Sequence, residues 1–445
     1  MEYLFLDNFR GFTQTLLTIR DVSFFVGENS TGKTSVLSLI KILGTPYFWF
    51  DQRFNTDEVN LGNFKDIVSV GSSDKSYFRI GLVNIAPEGK RRGEDTNSVY
   101  AFLCTFTEEE GTPILSHYTA VVAGEQMHVE LGASTVKYKD EGACEIRDDS
   151  EYVKSMFLNW AQGHKAMVSG YKTIRIPVER REALIFIPSL LEDISKRKHR
   201  ETVGRRVSLP IRAPFGDVVW LAPIRTRPKR TYDSYRLDFS PEGDHTPYLV
   251  KKLLMRRTEE QRKQAERFLH FIEKFGKNSG LFRSISIKDY DRRTTTSPFE
   301  LDIVLGTKAL SVDNVGYGVS QALPVIVELF ARGRGTRFAI QQPEIHLHPR
   351  AQLALGEVLF ELAVTENKKF FVETQSDFII DGFRLKYGDK KTVKKPDSQV
   401  VFFERSNAGN ILYEISILDN GEISDSQPPA YREFFIKEQR RLLGL

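Results

Sequence analysis

The 445-residue chain is 40% hydrophobic and 27% charged, enough for a real core and far from the composition of a disordered or fibrous protein. Its net charge of +4 is too small to argue for nucleic acid on its own, and its two cysteines, Cys104 and Cys144, fit no disulfide framework or metal spacing. No apolar run approaches membrane-spanning length, and "MEYLFLDNFRGF" carries Glu2, Asp7 and Arg10 inside its apolar pattern, unlike a signal peptide, so a cytoplasmic protein without membrane contact is expected.

In chain order, the alternation of "EYLFLDNF" predicts a strand, and "DVSFFVG" from Asp21 to Gly27 a more buried one. "KTSVLSLIKIL", Lys33 to Leu43, has helical apolar spacing that stops before Gly44 and Pro46. From Tyr77 to Glu151, short β-like runs ("YFRIGLVNI", "VYAFLCTF", "AVVAGEQMHVEL") alternate with polar turns and predict an antiparallel lobe. The stretch Arg175 to Arg212 is basic, with "SKRKHRETVGRR" at its centre; a solvated face and a nucleic-acid or partner patch both fit it. Leu249 to Gly276 reads as one long amphipathic helix, too short for a coiled-coil arm. "SQALPVIVELFARG" predicts another helix, "KKFFVETQS" a buried strand ending in a turn, and "QVVFFERS" with "ILYEISILD" a C-terminal β pair.

The segment "GENSTGKT", Gly27 to Thr34, followed by Ser35, matches the phosphate-loop pattern between an apolar strand and an amphipathic helix, the context that motif requires. Its glycines let backbone N–H groups turn inward around phosphate oxygens, and the helix N-terminus adds its positive end. Gly27, Asn29, Ser30, Thr31, Gly32, Lys33, Thr34 and Ser35 are therefore the candidate nucleotide-binding residues, with Lys33 reaching the β and γ phosphates of ATP and the Thr34 hydroxyl ligating Mg²⁺.

With "NFRGF" (Asn8 to Phe12) ahead of that loop, the start resembles the ABC-class ATPase heads of structural-maintenance-of-chromosomes, RecF-like and overcoming-lysogenization-defect proteins. Three later stretches carry the same resemblance. "NVGYGVSQALPVIVEL" (Asn314 to Leu329) looks like the signature motif, "QQPEIHLHPRAQ" like the Walker B strand and dimer-facing loop, and "FFVETQSDFIIDGFR" (Phe370 to Arg384) like the switch strand. "LGNFKDIVSVG", "WLAPIRTRPKRTYD", "SPEGDHTPYLVKKLL" and "PPAYREFFIKEQRRLLGL" are similar to the stand-alone AAA ATPases of bacterial anti-phage defence, nearest the ATPase subunits of Septu systems, which are encoded beside a small HNH endonuclease.

The resemblance implies an α/β ABC-type head with a RecA-like phosphate-loop core, an antiparallel β lobe and an inserted helical and basic lobe. Residues 1–85 and 299–445 would form the two parts of the core, and 86–298 the insertion. It puts Arg10 near the nucleotide and has Gly318, Ser320 and Gln321 of one subunit offer donors to the γ-phosphate bound by another, so that a homo-oligomer of paired heads completes the site. Gln341 stands where a Walker B acid would help hold Mg²⁺, Gln342 where the catalytic glutamate is kept, and Gln375 where the switch histidine is expected. An amide brings no charge to a metal and accepts no proton at neutral pH. Glu344 is then the remaining candidate base.

The expected function is an ATP-binding subunit with weak or absent hydrolysis that scaffolds and regulates a partner HNH-type nuclease, with DNA engaged through that complex. The alternative is an active DNA-dependent repair ATPase of RecF type, which would require the basic run Lys196 to Arg206. His346 and His348 are too few for a metal site, and Asp289 and Asp291 of "KDYD" are expected to be surface residues, leaving no nuclease centre in the chain.

Overall fold

The computed structural model describes residues 1–85, 100–122, 124–166, 170–175, 215–233, 237–290, 297–388 and 394–435. The N-terminal strands are β1 (Glu2–Asp7), β2 (Thr15–Ile19) and β3 (Val22–Gly27), followed by helix α1 (Lys33–Leu43). Five strands come next: β4 (Tyr77–Asn84), β5 (Tyr100–Glu109), β6 (Thr112–Val122), β7 (Glu125–Leu131) and β8 (Thr135–Ala143). Then come α2 (Ser150–Ala166), β9 (Lys172–Arg175), β10 (Val218–Leu221), α3 (Thr246–Leu253) and α4 (Glu259–Ser279). Strands β11 (Ser284–Asp289), β12 (Phe299–Leu305) and β13 (Lys308–Ser311) precede α5 (Tyr317–Ala331). The remainder is β14 (Arg337–Gln341), α6 (Pro349–Glu366), β15 (Lys369–Glu373), α7 (Asp377–Leu385), β16 (Ser398–Ser406) and β17 (Gly409–Ile417).

The chain divides into two compact units: Met1–Arg20 with Glu28–Val218 and Phe403–Glu414, and Asp21–Gly27 with Val219–Phe402 and Ile415–Leu445. In the first, an eight-stranded sheet in the order β2-β1-β4-β5-β6-β7-β8-β9 is antiparallel at every step. This is the antiparallel lobe that the alternating runs predict. Alternation along β4 and β5 sends Val83, Ala101 and Leu103 to one face, where Phe157 and Trp160 of α2 cover them. Phe5 stacks on Phe157 with ring centroids 4.9 Å apart. Gly81 is required there, because a Cβ would lie 2.6 Å from the Phe157 ring. The other face of the same strands meets a ring cluster in which Phe78, Phe54 and Phe106 pack at 5.0–5.4 Å.

The second unit holds the parallel strands. A six-stranded sheet runs β10-β14-β15-β3-β16-β17, and β14, β15 and β3 are parallel neighbours with Gln341 opposite Glu373 and Glu373 opposite Phe25. Apart from Ser23 and the polar ends Arg337, Gln341, Lys369 and Glu373, their residues are apolar and buried, as a sheet covered on both faces demands. A separate three-stranded sheet, β11-β12-β13, is antiparallel. The α/β fold class with an antiparallel lobe stands.

The single helix expected from Leu249 to Gly276 is instead two, α3 and α4. Thr258 breaks it: its backbone is extended, its hydroxyl accepts from the Gln261 N–H at 3.2 Å, and the Gln261 side chain accepts from the Thr258 N–H at 3.3 Å. This reciprocal cap starts a new helix inside an unbroken apolar pattern.

Candidate nucleotide site

In the first unit the phosphate loop turns on two residues in the left-handed region, Ser30 (φ 63°) and Gly32 (φ 94°). Gly32 is needed twice over. Besides its φ, a Cβ there would meet the Phe12 ring at 2.6 Å and Asn410 Nδ2 at 3.0 Å. The Thr31 hydroxyl and Lys33 Nζ both donate to the Glu28 carbonyl, at 2.8 and 2.6 Å, and close the loop on itself. Lys33 is 3% exposed, while Asn29, Ser30 and Thr34 face solvent and Ser35 is half-buried. Gly32 is the N-cap of α1, so the N-terminal end of that helix, with its positive dipole, faces the loop.

The "NFRGF" turn packs on the loop through Phe12 and Asn410. The Asn410 side chain donates to the Arg10 carbonyl at 3.1 Å, and its backbone N–H to the Gly11 carbonyl at 2.8 Å. Arg10 has φ 48° and sends its guanidinium to the Leu61 carbonyl, while its Nε is buried without a hydrogen-bond partner among the described residues. Burial lowers its pKa, with Asp66 opposing. Asn410 was not legible beforehand, because nothing marks a residue of a C-terminal hairpin as the neighbour of an N-terminal turn.

In the second unit, β14 ends at Gln341, 9% exposed, whose Nε2 lies 3.4 Å from Glu373 Oε2. Gln342 has φ 40° and donates its N–H to the Glu373 carbonyl at 2.8 Å. Glu344 follows in the turn. Its Oε1 accepts the Gln375 N–H at 2.7 Å, and its Oε2 is sealed from solvent with no hydrogen bond among the described residues. Burial pushes the Glu344 pKa up, against the pull of the Gln375 N–H.

Arg225, 3% exposed, places Nη2 3.5 Å from the Gln341 carbonyl and leaves Nη1 buried without an acceptor among the described residues. Burial lowers its pKa to about 10, with Glu344 opposing. The sequence did not single out Arg225 or Glu373. Their signals are an arginine after the apolar run "VVWLAPI" and an acid closing "KKFFV".

The signature segment forms the start of α5. Gly318 approaches the His346 carbonyl so closely that a Cβ would lie 2.9 Å away, and the Tyr317 and His346 rings meet edge-on at 4.9 Å. Ser320 is buried and donates to the Tyr317 carbonyl at 2.8 Å, and Gln321 is 2% exposed, its Nε2 without a hydrogen-bond partner among the described residues. His348 caps α6, its Nδ1 3.4 Å from the Arg350 N–H. Both histidines therefore have structural partners.

Asp289 corrects one expectation. It is partly buried and paired with Lys251 at 3.2 Å, not a bare surface residue. Asp291 and the basic run Lys196 to Arg206 lie outside the described residues. Among the described residues, no helix is long and apolar enough to cross a membrane.

A family model described as the AAA ATPase domain matches residues 1–97 and 232–380, more than half of the chain. The chain belongs to the AAA ATPase domain family. The match takes in the phosphate loop, the signature segment and the strand ends of Gln341 and Glu373, so the geometry above is that of an AAA ATPase. Among curated proteins, none matches the sequence.

Among solved structures, this AAA ATPase is similar to the Smc head domain of Pyrococcus furiosus bound to the C-terminal domain of ScpA, at 12% identity and TM-score 0.38, covering 99% of this chain and 100% of that one. It is similar to the SMC head domain of Thermotoga maritima at 12% identity and TM-score 0.34, covering 93% and 97%. The recombination mediator RecF, solved with a nucleotide analogue, follows at 10% identity and TM-score 0.31, covering 93% and 97%.

Proposed function

We propose that this AAA ATPase binds Mg²⁺-ATP, hydrolyses it slowly, and signals by occupancy. In this reading two heads meet around nucleotide, with Gly318, Ser320 and Gln321 of one facing the phosphate loop of the other. The assembly holds a companion HNH-type nuclease in an anti-phage defence complex and sets its activity by nucleotide state. The observation that carries the reading is the contrast between a complete phosphate loop around Lys33 and a strand end bearing Gln341 and Gln342 in place of acids.

Mg²⁺ takes oxygen ligands and keeps several waters, and the ligands proposed for it are the Thr34 hydroxyl and the Gln341 amide oxygen. When bound, the metal neutralises phosphate charge. An amide at 342 takes no proton from water, which removes about two to four orders of magnitude of rate. Glu344, with one oxygen fixed by the Gln375 N–H and the other unsatisfied, is the group left to polarise water. That favours slow turnover over none.

Calorimetry and single-turnover assays on the purified chain test the reading. Tight ATP binding with turnover far below that of an ordinary ATPase is expected, and Lys33→Ala abolishes binding. Rapid turnover by the native chain, lost in Lys33→Ala, would sink occupancy signalling. Co-purification with the product of a neighbouring HNH-type reading frame tests the partner.

A further inference from the structure

The second unit holds a cavity of about 80 Å³ that nucleotide binding leaves unused. Its walls all belong to that unit: the loop after β10, the start of α3, the β12 strand and one face of α5. A water-sized group needs about 10–15 Å³, so the space admits about five to eight such groups, far fewer than a nucleotide has. The floor is apolar, with Leu301, Val312 and Leu323 at 0%, 2% and 3% exposure. Gly243, at φ 86°, leaves room beside α5, since a Cβ there would lie 2.6 Å from Pro324 Cβ and 3.0 Å from Thr246 Oγ1.

Two polar features complete the cavity. Thr246, 2% exposed at the start of α3, has a buried Oγ1 without a hydrogen-bond partner among the described residues. A hydroxyl in that state costs free energy until a ligand pairs with it. The exposed rim carries both signs of charge. Arg227 and Lys229 stand there with Asp244, none of them ion-paired among the described residues, and Asp233 also lines it. A phosphate would meet Asp233 and Asp244, and a bare amine would meet Arg227 and Lys229.

We propose that this cavity binds a small apolar L-amino acid as its zwitterion. The side chain takes the apolar floor, the carboxylate is drawn to Arg227 and Lys229, and the ammonium to Asp244. The Thr246 hydroxyl gains a partner in one of the two charged groups. L-Valine and L-proline, with about eight non-hydrogen atoms each, match the space. Ser320 also lines the cavity, so the ligand lies against the signature segment.

The test is calorimetry of the nucleotide-free chain with L-valine, L-proline and L-leucine, and with isovalerate and isobutylamine, which each keep one charge of valine. At least one of the amino acids binds, and the two half-charged compounds bind about tenfold or more weakly, the scale of one charged hydrogen bond. Thr246→Val keeps the shape and loses the hydroxyl. Amino-acid affinity then falls about tenfold, whereas the melting temperature of the ligand-free chain holds or rises, because an unpaired buried hydroxyl has gone. Arg227→Ala with Lys229→Ala, confined to the exposed rim, brings the same loss of affinity. The proposal is overturned if none of the three amino acids binds at millimolar concentration, if isovalerate or isobutylamine matches them, or if either variant binds like the native chain. A lower melting temperature for Thr246→Val means that its hydroxyl is already paired, and overturns it too. No nucleotide enters these measurements, so their outcome is separate from that of the ATP reading.

Discussion

At Gln342 the backbone enters the left-handed region with φ 40°, a conformation that costs a non-glycine residue about 1 kcal/mol or more. The turn persists because its N–H is tied to the Glu373 carbonyl at 2.8 Å and the Gln341 carbonyl faces Arg225. In the proposed reading this fixed turn carries an amide where a proton acceptor would act. Gln342→Glu restores a proton acceptor without changing shape and is expected to raise single-turnover hydrolysis by about a hundredfold or more. No rise would mean that the turn does not face the water. Glu344 gives a second prediction. Its folded pKa stands above the ordinary 4.5 because burial disfavours the charge. The ionised form is therefore destabilising above that raised pKa, and the cost disappears as pH falls through it toward 4.5. Residual hydrolysis should decline on the acid side at a higher pH than an ordinary carboxylate gives, and Glu344→Gln should abolish it. A flat pH–rate profile down to pH 4.5 would count against Glu344 as the base.

At the scale of elements, α5 is fastened by Glu328, 1% exposed, which accepts from His245 and from Arg332, both at 2.6 Å. Burial raises the Glu328 pKa, but His245 and Arg332 outweigh it and hold the group below the ordinary range. Its stabilisation is present above 4.5 and is lost as pH falls through the depressed folded value. Glu328→Ala leaves the His245 ring N–H and the half-buried Arg332 guanidinium without their acceptor and is expected to cost about 1–3 kcal/mol, read as a drop in denaturant midpoint.

Helices α6 and α7 cross at glycines, where a Cβ on Gly356 would lie 2.1 Å from the Ile379 carbonyl and one on Gly382 2.1 Å from the Leu353 carbonyl. Gly356→Ala pries them apart, costs about 1–3 kcal/mol, and disturbs Ser376, whose Oγ bonds Gln352 at 2.5 Å in the turn after Glu373. A melting temperature equal to that of the native chain would refute the crossing.

Elements were readable where one pattern decided them. α1 runs over the predicted Lys33 to Leu43 because apolar spacing and Gly44 agree, and "KKFFVE" reads as a buried strand because nothing competes. α3 and α4 were fused because the apolar rhythm continues through the Thr258 cap. Arg225 and Glu373 were invisible as site residues, since a lone charge beside an apolar run gains meaning only when another strand's end is placed against it.

For the whole molecule, the reading predicts assembly that follows nucleotide. Sedimentation with ATP should show paired heads, with the unpaired form favoured in EDTA. Glu344→Gln should lengthen the life of the pair, since it retains the phosphate loop and loses the residual base. Sedimentation indifferent to nucleotide would remove head pairing from the scheme.

The contact of Asn410 with Gly11 and Gly32 has a consequence for biosynthesis. The ribosome finishes the whole Gly27 to Thr34 motif early, but the wall behind Gly32 comes from a hairpin made almost four hundred residues later. A nascent or prematurely terminated chain ending before Asn410 would carry the full motif with its backing absent. Such fragments should hold ATP poorly, so incomplete products would not poison a signal that depends on finished heads.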